Sequence, residues 1–460
     1  MGSASIHLVS LLAGSSAPVG GRAGQGPRDP APLSVRSDRY ATLLVADDIR
    51  LSEERAGAVL SCRLRGAGLP ERLWFQVPPE LAGSLATTGD ALLPPLLVAA
   101  MRRAARLVID GEVSAALLGA TPAIMELFEQ ASEAIGQPMC RVAVEAQCRP
   151  REARGPAAGA FFSGGIDSFY TVLRNAARYE MNDARRITHL ITVHGFDVRI
   201  EDRALFTEVR ERLSGAARDL GMLLVPVKTN VRDVVSGIPW EYAHGAAMAG
   251  TGLALGCLLH TCYIAGARSM RTSGFWGTHP GLDPLWSTET LEFVSDGPML
   301  GRMMKAPFVV ASAVARHSLR VCWKNPNGAY NCGRCEKCLR TMVIFTLCGA
   351  LGRVETLPAA VDCEALAKLR IPPDLFNRWQ GLRRRLAAGG PGVELLPALD
   401  RALAASRRLQ PATRRAEAAL FRGLGRIGLT PRRFKALDGW LLSGRGARAF
   451  RRLTGRARQR

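Results

Sequence analysis

Long uncharged hydrophobic runs are absent from this chain of 460 residues. None approaches the ~18–20 apolar residues that a transmembrane helix needs, so the sequence predicts no membrane span. The first 21 residues also contain no Lys or Arg, whereas a secretory signal peptide normally begins with basic residues. These two absences lead us to expect a cytoplasmic protein.

Cysteine is sparse outside one short window. The chain has 11 cysteines, an odd number, and four of them fall within 17 residues. A secreted disulfide scaffold would be shorter and more evenly laced with cysteine. The clustering therefore favours metal binding or catalysis in a reducing compartment.

Acidic residues are few in the C-terminal part. Residues 381–460 contain 20 Arg and Lys against 4 Asp and Glu, a net charge of +16 out of the chain's +21. The spacing predicts helices around 396–409 and 413–427 within an Arg-rich region that covers 361–460. Such a tail can bind RNA, an anionic membrane surface or an acidic partner. The alternatives are a solvated, partly disordered tail or the codon bias of a GC-rich genome.

The sequence before residue 151 divides into two segments. Residues 1–40 are rich in Gly, Ala, Ser and Pro, which predicts a flexible leader. Residues 41–150 predict a small α+β domain. Its predicted strands are 73–77, 106–110 and 140–146, and its predicted helices are 89–105 and 113–135. This segment has no catalytic spacing, so it is either a docking or substrate-binding domain or an extension of the edge of the next sheet.

Strand and helix patterns alternate over the next segment, residues 151–360. The predicted strands are 158–163, 187–196 and 222–229, and the predicted helices are 166–177, 202–220 and 241–266, followed by the segment 270–277. Continuous apolar strands joined by amphipathic helices predict an α/β fold, with a parallel sheet covered by helices on both faces. Ligands of such sheets bind at the carboxyl ends of the strands.

A short string, SGGIDS, runs from Ser163 to Ser168 between a predicted strand and a predicted helix. Gly164 and Gly165 permit a tight turn that exposes N–H groups, and the helix N-terminus adds positive partial charge. The two serines can add hydroxyl donors, and Asp167 is placed to hold Mg²⁺. The string matches neither the Walker nor the dinucleotide-binding pattern. The plainer alternative is a Gly-Gly turn with a helix cap.

The string resembles S-G-G-x-D-S, the signature of the PP-loop ATP pyrophosphatases in the adenine nucleotide α-hydrolase superfamily. Asparagine synthetase, GMP synthetase, NAD synthetase and 7-cyano-7-deazaguanine synthase carry this signature. The resemblance implies an α/β fold of the HUP type that uses ATP and Mg²⁺, with the ATP phosphates along Ser163 to Ser168. It also implies that the backbone near Val193 and His194, at the end of the second strand, holds the adenine.

A looser resemblance extends downstream. Arg302 and Lys305 stand where basic residues of that family reach back to the phosphates, which makes them candidates for neutralising charge as pyrophosphate leaves. The alternative for this pair is a solvated helix face. His279 and Asp283 are candidates for the substrate pocket, and their alternative is a turn set by the Pro-Gly pair between them.

Four cysteines, which we call the four-cysteine cluster, follow a spacing of nine, two and two residues: Cys322, Cys332, Cys335 and Cys338. The spacing predicts a tetrahedral zinc site whose four thiolates leave no open position, so the zinc would be structural. An iron–sulfur cluster and unrelated buried cysteines are the alternatives. The cluster resembles the zinc site of 7-cyano-7-deazaguanine synthase, which activates a carboxylate as an adenylate and converts it with ammonia, through an amide, to a nitrile.

The resemblance covers roughly residues 158–350 and has two departures. About 150 residues precede the signature, and the Tyr and Gln that follow the second strand in the deazaguanine enzymes are missing at 194–199. We therefore expect the ligase chemistry to carry over, but not the substrate.

The function expected from the sequence is an ATP-dependent, AMP- and pyrophosphate-forming ligase. It would adenylate a small-molecule or peptide carboxylate and transfer it to ammonia or an amine. Position 2 is Gly and not the cysteine of a glutaminase domain, so the nitrogen would come from free ammonia, another amine or a partner. The alternatives are a PP-loop tRNA-modifying enzyme that adenylates a base carbonyl, and a non-catalytic nucleotide-binding module.

Three further residues, Cys257, His260 and Cys262, fall within the predicted helix 241–266. Cysteine and histidine on a buried apolar helix are usually core residues. We therefore expect these three to have a packing role and not a catalytic one.

Overall fold

The computed structural model of this chain describes residues 42–66, 68–266 and 275–407. The predicted leader, the predicted tail helix at 413–427 and most of the segment 270–277 lie outside these residues. Within the described ranges, no helix is both long enough and apolar enough to span a bilayer.

Ten strands of the described chain form one sheet in the order β10-β9-β6-β7-β8-β3-β2-β1-β4-β5. The strands are β1 (Leu43–Glu54), β2 (Gly57–Arg65), β3 (Arg72–Val77), β4 (Arg106–Val113), β5 (Val144–Cys148), β6 (Ala157–Phe161), β7 (Ile187–His194), β8 (Leu223–Thr229), β9 (Leu259–Ala265) and β10 (Glu292–Asp296). The sheet is mostly parallel, because only the pairs β1–β2, β2–β3 and β3–β8 among these strands are antiparallel.

Helices accompany this sheet. They are α1 (Leu93–Arg103), α2 (Ala115–Gln130), α3 (Ser132–Ile135), α4 (Ile166–Arg178), α5 (Arg203–Asp219), α6 (Val231–Val234), α7 (Trp240–Ala254), α8 (Arg302–Ala311), α9 (Ala313–Ser318), α10 (Glu336–Leu347), α11 (Cys363–Lys368) and α12 (Phe376–Ala387). A further helix covers residues 396–407. The structure is therefore α/β, as the alternating pattern predicts.

Two hydrophobic cores form because neighbouring residues of a strand point to opposite faces of the sheet. On β6, Phe161 belongs to the core that includes α1, α2, α6 and α7, whereas Ala160 belongs to the core that includes α4, α5 and α8 to α12. All five residues of β6 are buried, which explains why its sequence, AAGAF, is apolar throughout and does not alternate.

The predicted helix 241–266 is wrong in its second half. Helix α7 ends at Ala254, and Leu259–Ala265 is the strand β9. His260 and Cys262 therefore lie on a strand, and Cys257 lies in the turn before it. The physical reason is that β9 is a mostly buried strand between β6 and β10, and a buried strand without clear alternation cannot be told from a buried helix by periodicity.

The N-terminal strands belong to the same sheet as the later parallel strands. Phe75 and Gln76 of β3 pair antiparallel with Thr229 and Lys228 of β8. The Asn230 side chain, which follows β8, strengthens this seam because its Oδ1 accepts from Trp74 N–H at 3.0 Å and its Nδ2 donates to the Arg72 carbonyl at 2.7 Å. The sequence did not predict β1 or β2, although together they form the longest antiparallel pair of the described sheet.

The order in which β6 to β9 are connected creates a crevice at the carboxyl ends of these strands. The chain runs from β6 to its neighbour β7 and on to β8, then returns to place β9 on the other side of β6. The carboxyl ends of β6 and β9 thus flank a topological switch point, the usual ligand position in open α/β sheets. The residues directly after these two strands therefore lie where a ligand of such a sheet binds.

Candidate functional site

The turn after β6, which we call the glycine loop (Ser163–Gly165), leads directly into α4. Gly164 has φ +74°, and a Cβ there would lie 2.8 Å from Leu213 Cδ2. Both conditions favour glycine. Gly165 is the N-cap residue of α4, and among the described residues no side chain caps this helix. The N–H groups of its first turn are therefore open to an anion.

The two predicted serines lie beside these N–H groups. Their Oγ atoms are 3.5 Å apart. Ser168 is buried and donates to the Gly165 carbonyl at 3.1 Å, whereas Ser163 is exposed and accepts weakly from Gly165 N–H at 3.4 Å. The Ser163 hydroxyl is thus the one that remains accessible at the mouth of the loop.

Asp167, in the first turn of α4, is held by two cations from α8. Arg302 Nη2 and Nε lie 2.8 and 2.9 Å from Asp167 Oδ2, and Lys305 Nζ lies 3.2 Å from Oδ1. Lys305 is fully buried and also donates to the carbonyl of Gly266, directly after β9. Lys305 therefore links Asp167, which follows β6, to Gly266, which follows β9. These are the two strands that flank the switch point.

Burial and charge act in opposite directions on Asp167. Burial alone would raise the pKa of its carboxyl, but the positive charges of Arg302 and Lys305 outweigh it and hold this pKa below its usual range. The carboxylate in turn raises the pKa of Arg302. Asp167 and Arg302 are therefore both charged at neutral pH, and Mg²⁺ binding at Asp167 would require one of the cations to turn away.

A small cavity opens in front of the glycine loop, and the sequence predicted only part of its wall. Beside residues of the loop and of α4, it is lined by Arg302 and by three residues that sequence analysis missed. These are Val321, Lys337 and Thr341. Lys337 stands between the last two cysteines of the four-cysteine cluster. Its place between two candidate metal ligands was the feature of the sequence that could have indicated a role for it.

Val193 and His194 occupy the end of β7, next to β6 and β8. The His194 ring is buried, its Nε2 lies 2.8 Å from the Arg199 carbonyl oxygen, and it stacks on Phe206 with ring centroids 4.2 Å apart. Burial lowers the pKa of His194. The side chain is therefore committed to packing, which leaves the backbone as the part of this strand end that can contact a ligand.

His279 and Asp283 form a closed turn. Asp283 is fully buried and its Oδ1 accepts from His279 N–H at 2.9 Å, while His279 Nδ1 accepts from Gly281 N–H at 3.0 Å. Burial raises the pKa of Asp283 to about 7. Within the described residues, no hydrogen bond or ion pair connects either side chain to the glycine loop. The predicted substrate role of this pair therefore has no geometric support from the loop.

The four-cysteine cluster is assembled. The Sγ atoms of Cys322 and Cys335 are 3.9 Å apart, those of Cys332 and Cys338 are also 3.9 Å apart, and all four lie within 4.8 Å of one another. Metal–sulfur bonds of ~2.3 Å in a tetrahedron require sulfur separations of ~3.8 Å. The cluster can therefore bind a metal ion such as zinc.

Backbone N–H groups support the sulfur atoms. Asn325 N–H lies 3.3 Å from Cys322 Sγ, Cys335 N–H lies 3.2 Å from Cys332 Sγ, and Cys338 N–H lies 3.5 Å from Cys335 Sγ. Such bonds stabilise thiolates, the form that binds metal. Three of the four cysteines are buried, and only Cys332 is partly exposed.

The four-cysteine cluster is connected to the glycine loop through the chain that precedes Cys322. Arg320 N–H donates to the Gly164 carbonyl at 2.8 Å. The Asn331 side chain, next to Cys332, accepts from the N–H groups of Val321 and Cys322 at 2.8 and 3.0 Å. The glycine loop and the four-cysteine cluster therefore share one short segment, a long-range contact that no spacing in the sequence predicts.

The structure thus brings most of the predicted residues into one place. Those that meet at the glycine loop are Ser163, Gly164, Gly165, Asp167, Ser168, Arg302 and Lys305. No protein-family model, no curated protein and no solved structure matches this chain.

Proposed function

We propose that this protein is an ATP-dependent ligase that adenylates a carboxylate, releases pyrophosphate, and passes the acyl group to ammonia or an amine. One observation carries the proposal. An uncapped helix N-terminus behind a Gly-Gly turn adjoins the Asp167, Arg302 and Lys305 cluster at the switch point of the sheet. Open N–H groups and fixed cations at one point are the chemistry that a polyphosphate requires.

The topology around the site supports nucleotide binding. Counted from β6, the strand order of this part of the sheet is 3-2-1-4-5, which is the order of doubly wound nucleotide-binding folds. The glycine loop follows the first of these strands, where phosphates bind in such folds. This agrees with the resemblance of SGGIDS to the PP-loop signature, which assigns the ATP phosphates to the same residues.

Each group has a defined task in the proposed reaction. The N–H groups at Gly165 and in the first turn of α4 would hold the β- and γ-phosphates, with the Ser163 hydroxyl as an added donor. Arg302 and Lys305 would neutralise the charge that builds up on departing pyrophosphate. Asp167 would hold these cations in place before ATP binds. Mg²⁺, when bound, would neutralise phosphate charge, and Asp167 is the carboxylate at the loop that could hold it.

The chemistry consists of two substitutions. A carboxylate oxygen attacks the α-phosphorus of ATP, the bond from this phosphorus to the bridging oxygen breaks, and pyrophosphate leaves. The nitrogen of ammonia or an amine then attacks the acyl carbon, loses a proton, and displaces AMP. The cations at Asp167 act on the first step, because pyrophosphate is its leaving group.

We assign zinc to the four-cysteine cluster and give it a structural role. Four thiolates complete a tetrahedral coordination sphere, so no position is left for substrate. The connection through Arg320 to the glycine loop explains why a structural metal would lie so close to the reaction. An iron–sulfur cluster at the same four ligands would show charge-transfer absorption in the visible range, which zinc does not.

The test is a product analysis with the purified full chain, ATP and Mg²⁺. A library of carboxylates is screened with ammonium, and bulk tRNA is screened separately, with AMP, ADP, phosphate and pyrophosphate all measured. We expect AMP and pyrophosphate in equal amounts with one class of carboxylate. ADP and phosphate would contradict the proposal, and AMP formed with tRNA alone would support the base-modifying alternative.

A further inference from the structure

A third basic side chain in the wall of the cavity has no role in the proposed reaction so far. Lys337, on the first turn of α10, lines the cavity together with Ser163, Gly165, Asp167 and Arg302. It is partly buried, and no hydrogen bond or ion pair holds it among the residues that the structure describes. The carboxylates of Asp197 and Asp167 act on Lys337 only through their charge, without a hydrogen bond or ion pair. A bound anion would therefore still stabilise this cation, which is withdrawn from bulk water.

The charges around the cavity do not balance. Asp167 is the one carboxylate in the described wall of the cavity, and its two oxygens are already engaged by Arg302 and Lys305. Lys337 adds a further positive charge, and the carboxylates that act on it through their charge are Asp197 and Asp167. Arg320, behind the glycine loop, is also cationic and nearly buried, and its Nε has no hydrogen-bond partner among the described residues. This excess of positive charge matches a ligand with several negative charges.

We propose that Lys337 is a third phosphate-binding cation of this site, and that the metal-bound four-cysteine cluster holds it in position. The inference rests on the proposed function, because it takes the polyphosphate of ATP as the ligand. It goes beyond that proposal by giving the metal cluster a direct part in nucleotide binding. The ligand of Lys337 is a pyrophosphate group, either free or within ATP.

The position of Lys337 is fixed from both sides by cluster residues. Cys335 is the N-cap residue of α10, and its Sγ accepts from Cys338 N–H, so the backbone on either side of Lys337 is bound to the cluster. Next to Lys337, Glu336 accepts from Trp379 Nε1 at 2.9 Å and pairs with Arg340 at the same distance. These buried contacts anchor α10 and leave Lys337 directed at the cavity.

The experiment compares two lysines that lie within two residues of a cluster cysteine in the sequence. Lys337→Gln removes the cavity lysine, and Lys324→Gln removes an exposed lysine two residues after Cys322, as the matched control. Binding of inorganic pyrophosphate with Mg²⁺ is measured by calorimetry on the full, metal-loaded chain, and the metal content of each variant is measured in parallel. We expect Lys337→Gln to weaken binding by about tenfold or more, as for loss of a charge-assisted hydrogen bond, and Lys324→Gln to change it by less than about twofold.

A second variant separates the charge of Lys337 from its packing. Lys337→Arg keeps the cation and should retain most of the pyrophosphate affinity that Lys337→Gln loses. Equal binding by Lys337→Gln and wild type would overturn the inference and leave the proposed function standing. Equal loss in the Gln and Arg variants, with full metal content, would also overturn it. A wild-type protein that binds neither pyrophosphate nor ATP would overturn both.

Discussion

At the scale of single residues, the ion-pair cluster determines what the site can do. Asp167 does not stand open to solvent, since Arg302 and Lys305 occupy both of its oxygens. A cluster that carries one negative and two positive charges has a net charge of +1 and sits at a helix N-terminus. Arg302 lines the cavity, whereas Lys305 is fully buried, so Lys305 would act on an anion in the cavity through its charge. In the proposed reaction, cations held in place in this way would supply the preorganisation that electrostatic catalysis requires.

Replacement of the buried lysine tests that role. Lys305→Met keeps the volume of the side chain but removes the charge, and we expect kcat for AMP formation to fall by about 100-fold or more, the usual effect of losing one such donor. Lys368→Met, at an exposed lysine whose contact is a surface pair with Glu364, is the control and should keep wild-type kcat. A Lys305→Met enzyme with more than half of the wild-type rate would contradict the assignment.

Asp283 provides a test of pH dependence. Burial raises its pKa to about 7, whereas an unfolded aspartate has a pKa of about 3.9. Between these values the folded chain keeps a proton that the unfolded chain loses, so the free energy of unfolding should fall as pH rises from about 4 to 7, and then level off. This decline should be on the order of 2–4 kcal/mol. Asp283→Asn should flatten it, and urea unfolding of both proteins across that pH range measures the difference.

The opposite outcome is equally informative for Asp283. If Asp283→Asn leaves the pH profile of stability unchanged, burial does not raise the pKa of this carboxyl in the folded chain. A large loss of catalytic activity without any change in stability would return the residue to the substrate role that the sequence suggested.

At the scale of secondary-structure elements, local patterns predicted the part of the fold that surrounds the site. Strands β6, β7 and β8 and helices α4 and α5 were expected within one or two residues of their observed ends. The patterns failed where tertiary context decides. Strand β9 was taken for helix because it is buried among other strands, and β10 was missed because Glu292–Asp296 is short and half polar.

The candidate site shows the same division between local and long-range information. SGGIDS is a local string whose geometry follows from two glycines and a helix start, so the sequence could predict it. Arg302 and Lys305 came from a resemblance, because no spacing links them to a residue about 135 positions earlier. Lys337 was missed altogether. Its approach to the glycine loop depends on the four-cysteine cluster and on Arg320, contacts that exist only in the folded chain.

The glycine loop gives a prediction at this scale. Gly164→Ala places a Cβ 2.8 Å from Leu213 Cδ2 at a residue with φ +74°, so we expect a loss of stability of ~1–2 kcal/mol and weaker ATP binding. Gly215→Ala is the matched control, since this glycine lies in α5 with no atom within 4 Å of the added Cβ. That change should stabilise the protein by ~0.5–1 kcal/mol. Chemical denaturation and ATP titration of both variants measure the difference. Equal effects of the two changes would contradict the requirement for glycine at position 164.

At the scale of the whole molecule, the four-cysteine cluster and the crevice of the sheet are parts of one connected structure. The four-cysteine cluster lies in the core that includes α4, α5 and α8 to α12, and it connects to the glycine loop through Arg320. The N-terminal strands pack on from the other side, through the seam of β3 and β8. Stability and nucleotide binding should therefore respond together when the metal is removed.

Loss of one ligand tests that coupling. Cys338→Ser removes a fully buried ligand, and we expect loss of bound metal, a decrease of at least about 3 kcal/mol in the free energy of unfolding, and weaker binding of pyrophosphate. Cys363→Ser, at an exposed cysteine outside the cluster, should change none of the three. A Cys338→Ser variant that lacks metal but binds pyrophosphate like the wild type would separate the cluster from the site.

The proposed reaction begins with adenylation of a carboxylate, and isotope transfer follows the oxygen atom that this step moves. The carboxylate identified in the product screen is labelled with ¹⁸O and turned over with ATP, Mg²⁺ and ammonium, and the AMP is then analysed by mass spectrometry. Attack of the carboxylate on the α-phosphorus predicts one ¹⁸O atom in the phosphate of each AMP molecule. AMP without the label, or label found in inorganic phosphate with ADP as the nucleotide product, would rule out attack of the carboxylate on the α-phosphorus.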